Sequence, residues 1–93
     1  MPNDLDFEWD PGKSRQNELK HGISFELARL IWIDDMRVEI QACSLEEPRH
    51  VVIGRIGSRL FAAVITYRGA RIRLISVRRA RGREVIHHES QEI

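Results

Sequence analysis

The chain has 93 residues, of which 42% are hydrophobic and 31% charged, so it is long enough for one small hydrophobic core and is not disordered. No apolar run approaches the ~18 residues that a membrane-spanning helix needs, and the acidic N-terminus has no signal-peptide pattern. The single cysteine, Cys43, excludes an internal disulfide, so we expect a protein of the reducing cytoplasm.

The first half of the chain predicts one strand and two helices. Residues 5–9 alternate apolar and acidic side chains, which is typical of a short strand. Residues 13–21 are polar and end at Gly22, a common helix C-cap, and they predict the first helix. Ser24 is a good N-cap for a second helix, whose broad apolar face ends at the two aspartates 34–35.

The second half predicts four strands and a final helix. Residues 36–41 alternate apolar and polar side chains and predict a half-buried strand. Strands at 49–56, 60–67 and 71–79 follow as a meander with glycine-containing turns, and residues 80–92 predict the last helix. The order β-α-α-β-β-β-β-α predicts an α+β fold, in which the two N-terminal helices pack on one face of a small antiparallel sheet.

Charge is divided unequally along the chain. Residues 1–47 contain 11 acidic and 5 basic side chains, whereas residues 48–93 contain 10 arginines and 3 acids. Arginine grips phosphate through two parallel hydrogen bonds, which lysine does not. The composition therefore predicts an anionic partner for the C-terminal half.

Strand periodicity divides the arginines of the last strand between two faces. Strict alternation puts Arg71, Arg73 and Arg79 on one face and Arg78 on the other, with Ser76. Ile75 and Val77 share the face of the first three arginines and are expected to pack under the helices. This phase predicts Arg78 on the open face of the sheet, and a bulge would reverse the assignment.

Neither nucleophilic catalysis nor metal binding has a supporting pattern. Cys43 lies in a loop without a catalytic signature, and the serines are not in a nucleophile elbow. His87 and His88 would point about 100° apart on a helix, unlike an i, i+4 pair of metal ligands. We therefore predict no metal site and no cofactor.

The side chains present suit cleavage of a phosphodiester without a metal. In that reaction a base takes the proton of the attacking 2′-hydroxyl, cations stabilise the charge on the phosphate, and an acid protonates the leaving oxygen. Glu46, Glu47 and His21 are candidate proton carriers, and Lys20 is a candidate charge stabiliser. Arg55 would keep a nearby carboxylate ionised.

Four segments together resemble one known family. They are FEWD at 7–10, KHGISFE at 20–26, RHVVIG at 49–54 and RIRLISVRRA at 71–80. In this order and spacing they are similar to BrnT, the family of ribonuclease toxins of type II toxin–antitoxin systems. The resemblance runs from Phe7 to about Glu84 and so covers nearly the whole chain.

The resemblance implies a single toxin domain over residues 1–93 with a RelE-like fold. It also implies metal-independent RNA cleavage that blocks translation and arrests growth. The implied partner is a ribbon-helix-helix antitoxin, through which the complex contacts DNA and represses its own operon. Because such an antitoxin dimerises through its DNA-binding half, we expect a 2:2 assembly.

Matching positions suggest site residues. The candidate catalytic residues are Lys20, His21, Glu47, Arg55 and Arg78. The candidate RNA-binding residues are Arg49, Arg71, Arg73 and Arg79. The last three of these are also candidates for the antitoxin interface.

Two other functions fit the same sequence. The first alternative is a non-catalytic module with the toxin fold, which acts only with a DNA-binding partner in transcriptional autoregulation. In the second, it is a structural domain whose basic face binds an acidic protein. Cleavage of RNA separates the toxin from the first alternative, and a neighbouring gene for a ribbon-helix-helix protein argues against the second.

Overall fold

The computed structural model describes residues 5–42 and 48–90. Its strands are β1 (Asp6–Glu8), β2 (Val38–Ala42), β3 (Arg49–Ile56), β4 (Arg59–Arg68) and β5 (Arg71–Arg79). Its helices are α1 (Pro11–His21), α2 (Phe25–Ala28) and α3 (Gly82–Glu89), with a 3₁₀ segment at Arg29–Ile33. The five strands and three helices of the described residues follow one another in the predicted order.

The sheet is mixed, not antiparallel as the sequence predicted. Its strand order is β1-β5-β4-β3-β2, and β2 to β5 form an antiparallel meander. β1 lies at the edge parallel to β5, with Asp6 beside Arg71 and Glu8 beside Arg73. A hairpin reverses the chain direction, whereas β1 is connected to the meander through helices, and a crossover of this kind permits parallel pairing.

The first helix begins two residues earlier than predicted. The Asp10 side chain accepts a hydrogen bond from the Gly12 amide at 2.8 Å, and Pro11 occupies the first turn of α1. Proline is favoured there because the first amides of a helix have no intrahelical partner. Gly22 ends α1 with a φ of +76°, as its C-cap pattern predicted. No helix in the described residues is long and apolar enough to cross a membrane.

The second predicted helix is one α-helical turn followed by the 3₁₀ segment. Ser24 caps it as predicted, accepting from the Leu27 amide at 3.2 Å. The tighter 3₁₀ winding brings the Ile31 backbone against β3 at Gly54. A Cβ on Gly54 would lie 2.8 Å from the Ile31 carbonyl oxygen. Close packing against the sheet therefore accompanies the change from α-helix to 3₁₀.

The main core lies between the N-terminal helices and one face of the sheet. Phe7 and Trp32 meet edge to face there, with ring centroids 5.0 Å apart. The buried members of this core are Ile23, Phe25, Ala28, Ile31, Trp32, Val52, Ala63, Ile65, Ile72, Leu74 and Val77. This arrangement confirms that the N-terminal helices pack on one sheet face.

A bulge in β5 makes the predicted sheet face of Arg71 and Arg73 wrong. Ser76 pairs with Val64, but Leu74 pairs with the next residue, Ile65, so Ile75 is an extra residue in β5. Ile72 and Leu74 therefore share the core face with Val77, although strict alternation would separate them. Arg71 and Arg73 consequently lie on the opposite face together with Arg78.

Candidate functional site

The structure separates the predicted site residues into three places. β3 and β5 run in the same direction, so Arg49, Arg71 and Arg73 lie at the end of the sheet where these strands begin, which we call the first end. Arg55, Arg78 and Arg79 lie at the other, second end. Lys20 and His21 lie in the last turn of α1, beside β5.

Lys20 and His21 line one pocket at the outer edge of β5, which we call the edge pocket. Its volume is about 230 Å³. Lys20 is exposed and His21 is half-buried. The complete lining is Lys13, Gln16, Asn17, Lys20, His21, Ile75 and Ser76. A cation and an imidazole thus meet at one concave surface.

Asn17 fixes α1 against the edge of β5. Its amide nitrogen donates to the carbonyl oxygens of Ile23 and Val77, both at 2.8 Å, and its side-chain oxygen accepts from the Val77 amide at 3.0 Å. β1 covers β5 only from Arg71 to Arg73, so the Asn17 amide takes the place of a neighbouring strand further along. Sequence reasoning missed this residue, because a buried asparagine has no signal in a polar helix.

Arg78 forms a two-pronged ion pair with Glu84 of α3. Its two terminal nitrogens lie 2.7 and 2.8 Å from the two carboxylate oxygens, and the side chains are only 20% and 15% exposed. The Arg78 hydrogen bond lowers the pKa of Glu84 against the opposing effect of burial, and the same contact raises the pKa of Arg78. Sequence reasoning missed Glu84, which also accepts from the Arg81 amide at 2.7 Å and so caps α3.

Arg55 belongs to a second cluster, around Asp34. The Arg55 amide donates to Asp34 Oδ2 at 2.8 Å, the Met36 amide donates to Oδ1 at 2.8 Å, and His88 Nε2 lies 2.7 Å from Oδ2. Burial raises the pKa of Asp34, but these hydrogen bonds outweigh it and the pKa is lowered. Arg55 and Asp34 line a cavity of about 320 Å³ together with Ile56. The structure does not bring Arg55 into the edge pocket, because β4 separates β3 from β5 and places them about 10 Å apart.

Two of the predicted RNA-binding arginines hold β1 in the sheet. Arg73 Nη1 lies 2.6 Å from Glu8 Oε2, and Arg71 Nε lies 3.2 Å from Asp6 Oδ2. The hydrogen bond from Arg73 is the main reason that the pKa of Glu8 is lowered. Arg49, at the start of β3, is exposed.

The remaining predictions concern the catalytic carboxylate and the absence of a metal site. Glu47, its alternative Glu46 and Cys43 lie outside the described residues. Within residues 5–42 and 48–90, no group of three or more His, Cys, Asp and Glu side chains is arranged to hold a metal ion. His21 is thus the one predicted proton carrier that the described residues place in a pocket.

The chain is thus a small α+β protein whose predicted basic site residues include a lysine and a histidine in the edge pocket beside β5. The family model for the ribonuclease toxin BrnT of type II toxin–antitoxin systems matches residues 9–84, so the chain belongs to the BrnT family. This match confirms the resemblance seen in the sequence. No curated protein matches the chain. As a toxin of a type II system, the protein has an antitoxin as its partner.

Proposed function

We propose that this ribonuclease toxin is a metal-independent endoribonuclease that arrests growth by cleaving RNA. One observation supports the proposal most strongly: Lys20 and His21 share the edge pocket, so a charge stabiliser and a proton carrier lie together. Arg78 lies further along β5, the strand that forms one wall of this pocket. These are the groups that phosphodiester cleavage without a metal requires.

In the proposed reaction the 2′-oxygen of a ribose attacks the adjacent phosphorus. His21 or Glu47 takes the proton from that hydroxyl. Lys20 stabilises the extra negative charge on the phosphate, and Arg78 does so once it has released Glu84. The bond between phosphorus and the 5′-oxygen breaks, and the leaving oxygen takes a proton from whichever of the two groups is then protonated, or from water. The products are a 2′,3′-cyclic phosphate and a 5′-hydroxyl.

The arginines outside the edge pocket are proposed to hold the rest of the RNA. Arg49 and Arg79 are exposed at the two ends of the sheet and can reach phosphates directly. Arg71 and Arg73 must first exchange Asp6 and Glu8 for phosphate. Arg55 is proposed to act from the second end, beside the Asp34 cluster.

We further propose that the antitoxin is a ribbon-helix-helix protein. Its toxin-binding segment would carry acidic and apolar groups to cover arginines such as Arg79, since charge complementarity speeds capture and apolar burial slows release. An antitoxin dimer would hold two toxins in a 2:2 complex, which contacts DNA through the antitoxin in the cytoplasm. The toxin is proposed to act as a single RelE-like domain over residues 1–93.

One observation favours the non-catalytic alternative. The guanidinium of Arg78 already donates two hydrogen bonds to the Glu84 carboxylate, so in this structure it is not open to phosphate. A toxin-fold module that only assembles with its DNA-binding partner would keep this ion pair permanently. RNA cleavage by the chain without its antitoxin separates the two functions.

The test is cleavage of a synthetic RNA by the purified toxin in excess EDTA. Lys20→Ala and His21→Ala should each lower the rate about 100-fold or more, the usual contribution of a proton carrier or charge stabiliser. Arg15→Ala, also on the exposed surface of α1, is the matched control and should keep full activity. Mass spectrometry should find 2′,3′-cyclic phosphate ends.

Loss of all cleavage in EDTA with recovery on adding Mg²⁺ would contradict metal independence. Full activity of both variants would remove the edge pocket from the reaction. A wild-type chain that cleaves no RNA and allows growth on induction, yet represses its operon with the antitoxin, would establish the alternative. Light scattering of the co-expressed pair measures the stoichiometry, and a 1:1 mass would contradict the 2:2 assembly.

A further inference from the structure

Both lysines of the chain line the edge pocket. The sequence has 15 lysines and arginines, and Lys13 and Lys20 are the only lysines among them. They are seven positions apart in α1, so they lie in line on one face of the helix, about 10 Å apart along its axis. Sequence reasoning named Lys20 and missed Lys13. The proposed reaction uses the Lys20 ammonium and leaves the second ammonium, at Lys13, without a role.

The lining of the edge pocket contains cations and no carboxylate. The two lysines and His21 share it with four neutral side chains, which are Gln16, Asn17, Ile75 and Ser76. Within residues 5–42 and 48–90, no salt bridge engages either lysine. By contrast, the cavity beside Arg55 includes the carboxylate of Asp34. The edge pocket is therefore suited to an anion, and its amide and hydroxyl groups can donate further hydrogen bonds to that anion.

The acid closest to Lys13 in the sequence, Asp10, is used to cap α1. Its Oδ1 accepts from the Gly12 amide at 2.8 Å and from the Lys13 amide at 3.4 Å. No salt bridge joins this carboxylate to the Lys13 ammonium, although the structure describes both residues. The exposed Lys13 ammonium can therefore take an external phosphate without first giving up a carboxylate, unlike Arg71, Arg73 and Arg78.

The two lysines differ in their distance from the proposed proton carrier. Lys20 is adjacent to His21 in the last turn of α1, whereas Lys13 lies two turns earlier. In the proposed reaction the cleaved phosphate lies beside Lys20 and within hydrogen-bond reach of a proton carrier. Lys13 is placed for another phosphate of the same strand, and RNA has one at every linkage.

We propose that Lys13 binds a phosphate that flanks the cleaved one, so that the edge pocket grips two phosphates of one RNA strand. This inference rests on the proposed function, because it takes RNA as the ligand of the pocket. The other anion at hand is an acidic segment of the antitoxin. RNA fits better, because the chain belongs to a ribonuclease family and the pocket contains an imidazole, which a carboxylate ligand does not require.

The direct test is the salt dependence of binding to a short single-stranded oligonucleotide of 2′-O-methyl riboses, which cannot be cleaved through the 2′-oxygen. Lys13→Ala of the full-length toxin should reduce the slope of log K against log salt by about 0.7, the value for one phosphate contact of a single strand. It should also weaken binding about 5-fold at low salt, as for a well-formed exposed ion pair. Lys13→Arg keeps the charge and should keep the slope. A wild-type slope for Lys13→Ala would overturn the proposal.

Oligonucleotides with a single neutral methylphosphonate linkage locate the phosphate. At the flanking linkage, the neutral group should weaken binding by wild type and leave Lys13→Ala unaffected, because that variant has already lost the contact. Lys20→Ala should be insensitive at a different linkage. Arg15→Ala is the matched control, because Arg15 is exposed on α1 and outside the pocket lining, and it should respond like wild type. Insensitivity of both lysine variants at the same linkage would show that they share one phosphate and would overturn the flanking subsite.

Cleavage of the corresponding unmodified RNA, assayed in parallel, separates this inference from the proposed function. Lys13→Ala should raise KM about 5-fold and change kcat by less than about 2-fold, whereas Lys20→Ala should lower kcat. Loss of kcat alone in Lys13→Ala would place Lys13 at the reacting phosphate and overturn the proposal. The expected change of salt slope without any cleavage by wild type keeps the phosphate subsite and removes the enzyme. Weaker antitoxin binding by Lys13→Ala, with unchanged oligonucleotide affinity, would assign Lys13 to the protein interface and overturn the proposal.

Discussion

Replacing Glu84 by Gln is expected to destabilise the protein mainly through one contact, the ion pair with Arg78. The pair has two short hydrogen bonds, at 2.7 and 2.8 Å, and its side chains are 20% and 15% exposed. Exposed ion pairs contribute about 0.2–1 kcal/mol, whereas removing one partner of a fully buried pair costs about 3–5 kcal/mol. For this intermediate burial we expect a coupling free energy of about 1–2 kcal/mol.

A double-mutant cycle isolates that free energy. Glu84→Gln retains an oxygen that can accept from the Arg81 amide, so the cap of α3 is kept while the charge is lost. Urea unfolding of Arg78→Gln, Glu84→Gln and the double variant gives the coupling, and each kcal/mol corresponds to about 4–8 °C in Tm for a domain of this size. A coupling below about 0.3 kcal/mol at pH 7 would refute the reasoning.

The pH dependence gives a second check on the same pair. The pKa of Glu84 in the folded protein lies below the ordinary value of 4.5, chiefly because Arg78 donates to its carboxylate. A group with a lowered folded pKa stabilises the fold above its unfolded pKa and loses that effect as the pH falls through the folded value. Wild type should therefore exceed Glu84→Gln in stability at pH 7, and the two should converge below pH 4.5. A difference that persists unchanged at strongly acidic pH would show that the ion pair is not its cause.

Two further substitutions test the packing that positions the site. Asn17→Leu leaves three buried backbone groups without their hydrogen bonds and should cost about 3 kcal/mol or more in urea unfolding, whereas the exposed control Gln16→Leu should change stability by less than about 0.5 kcal/mol. Gly54→Ala places a Cβ 2.7 Å from the Ile31 side chain and should cost about 1–3 kcal/mol, whereas Gly82→Ala, with open space around it, should not destabilise. Stabilities within error of wild type for Asn17→Leu or Gly54→Ala would contradict these packing arguments.

Sequence patterns predicted the strands and helices because each of these elements is determined mainly by residues within its own segment. Alternation over residues 36–41 reflects a strand with one exposed and one less exposed face, seen in β2, and Gly22 ends α1 because it adopts a positive φ there. The extent of the second helix is different, since it depends on the fit between Ile31 and Gly54, which lie 23 positions apart in the sequence. Patterns within one segment contain no information about such a contact.

The same limit explains the candidate site. Motif matching named Lys20 and His21, which the structure brings into one pocket, and their roles remain predictions. It also grouped Arg55 with Arg78. In the structure the backbone amide of Arg55 donates to Asp34, whereas the side chain of Arg78 pairs with Glu84. Residues such as Asn17 and Glu84 act through partners distant in sequence or on another element, so their types alone do not reveal them.

Part of the charge difference between the two halves of the chain is used in ion pairs that stabilise the fold. β1 comes from the acidic half and lies beside the start of β5, so its acids meet Arg71 and Arg73 and stabilise the parallel edge. An arginine that holds a carboxylate has to release it before it can grip a phosphate, and that exchange reduces its net contribution to RNA binding. Among the described residues, the exposed strand arginines that form no salt bridge include Arg49 and Arg79. The arginine excess that first suggested an anionic partner thus leaves fewer cations for RNA than the sequence count implies, and these are the ones on which the proposed RNA contacts depend most.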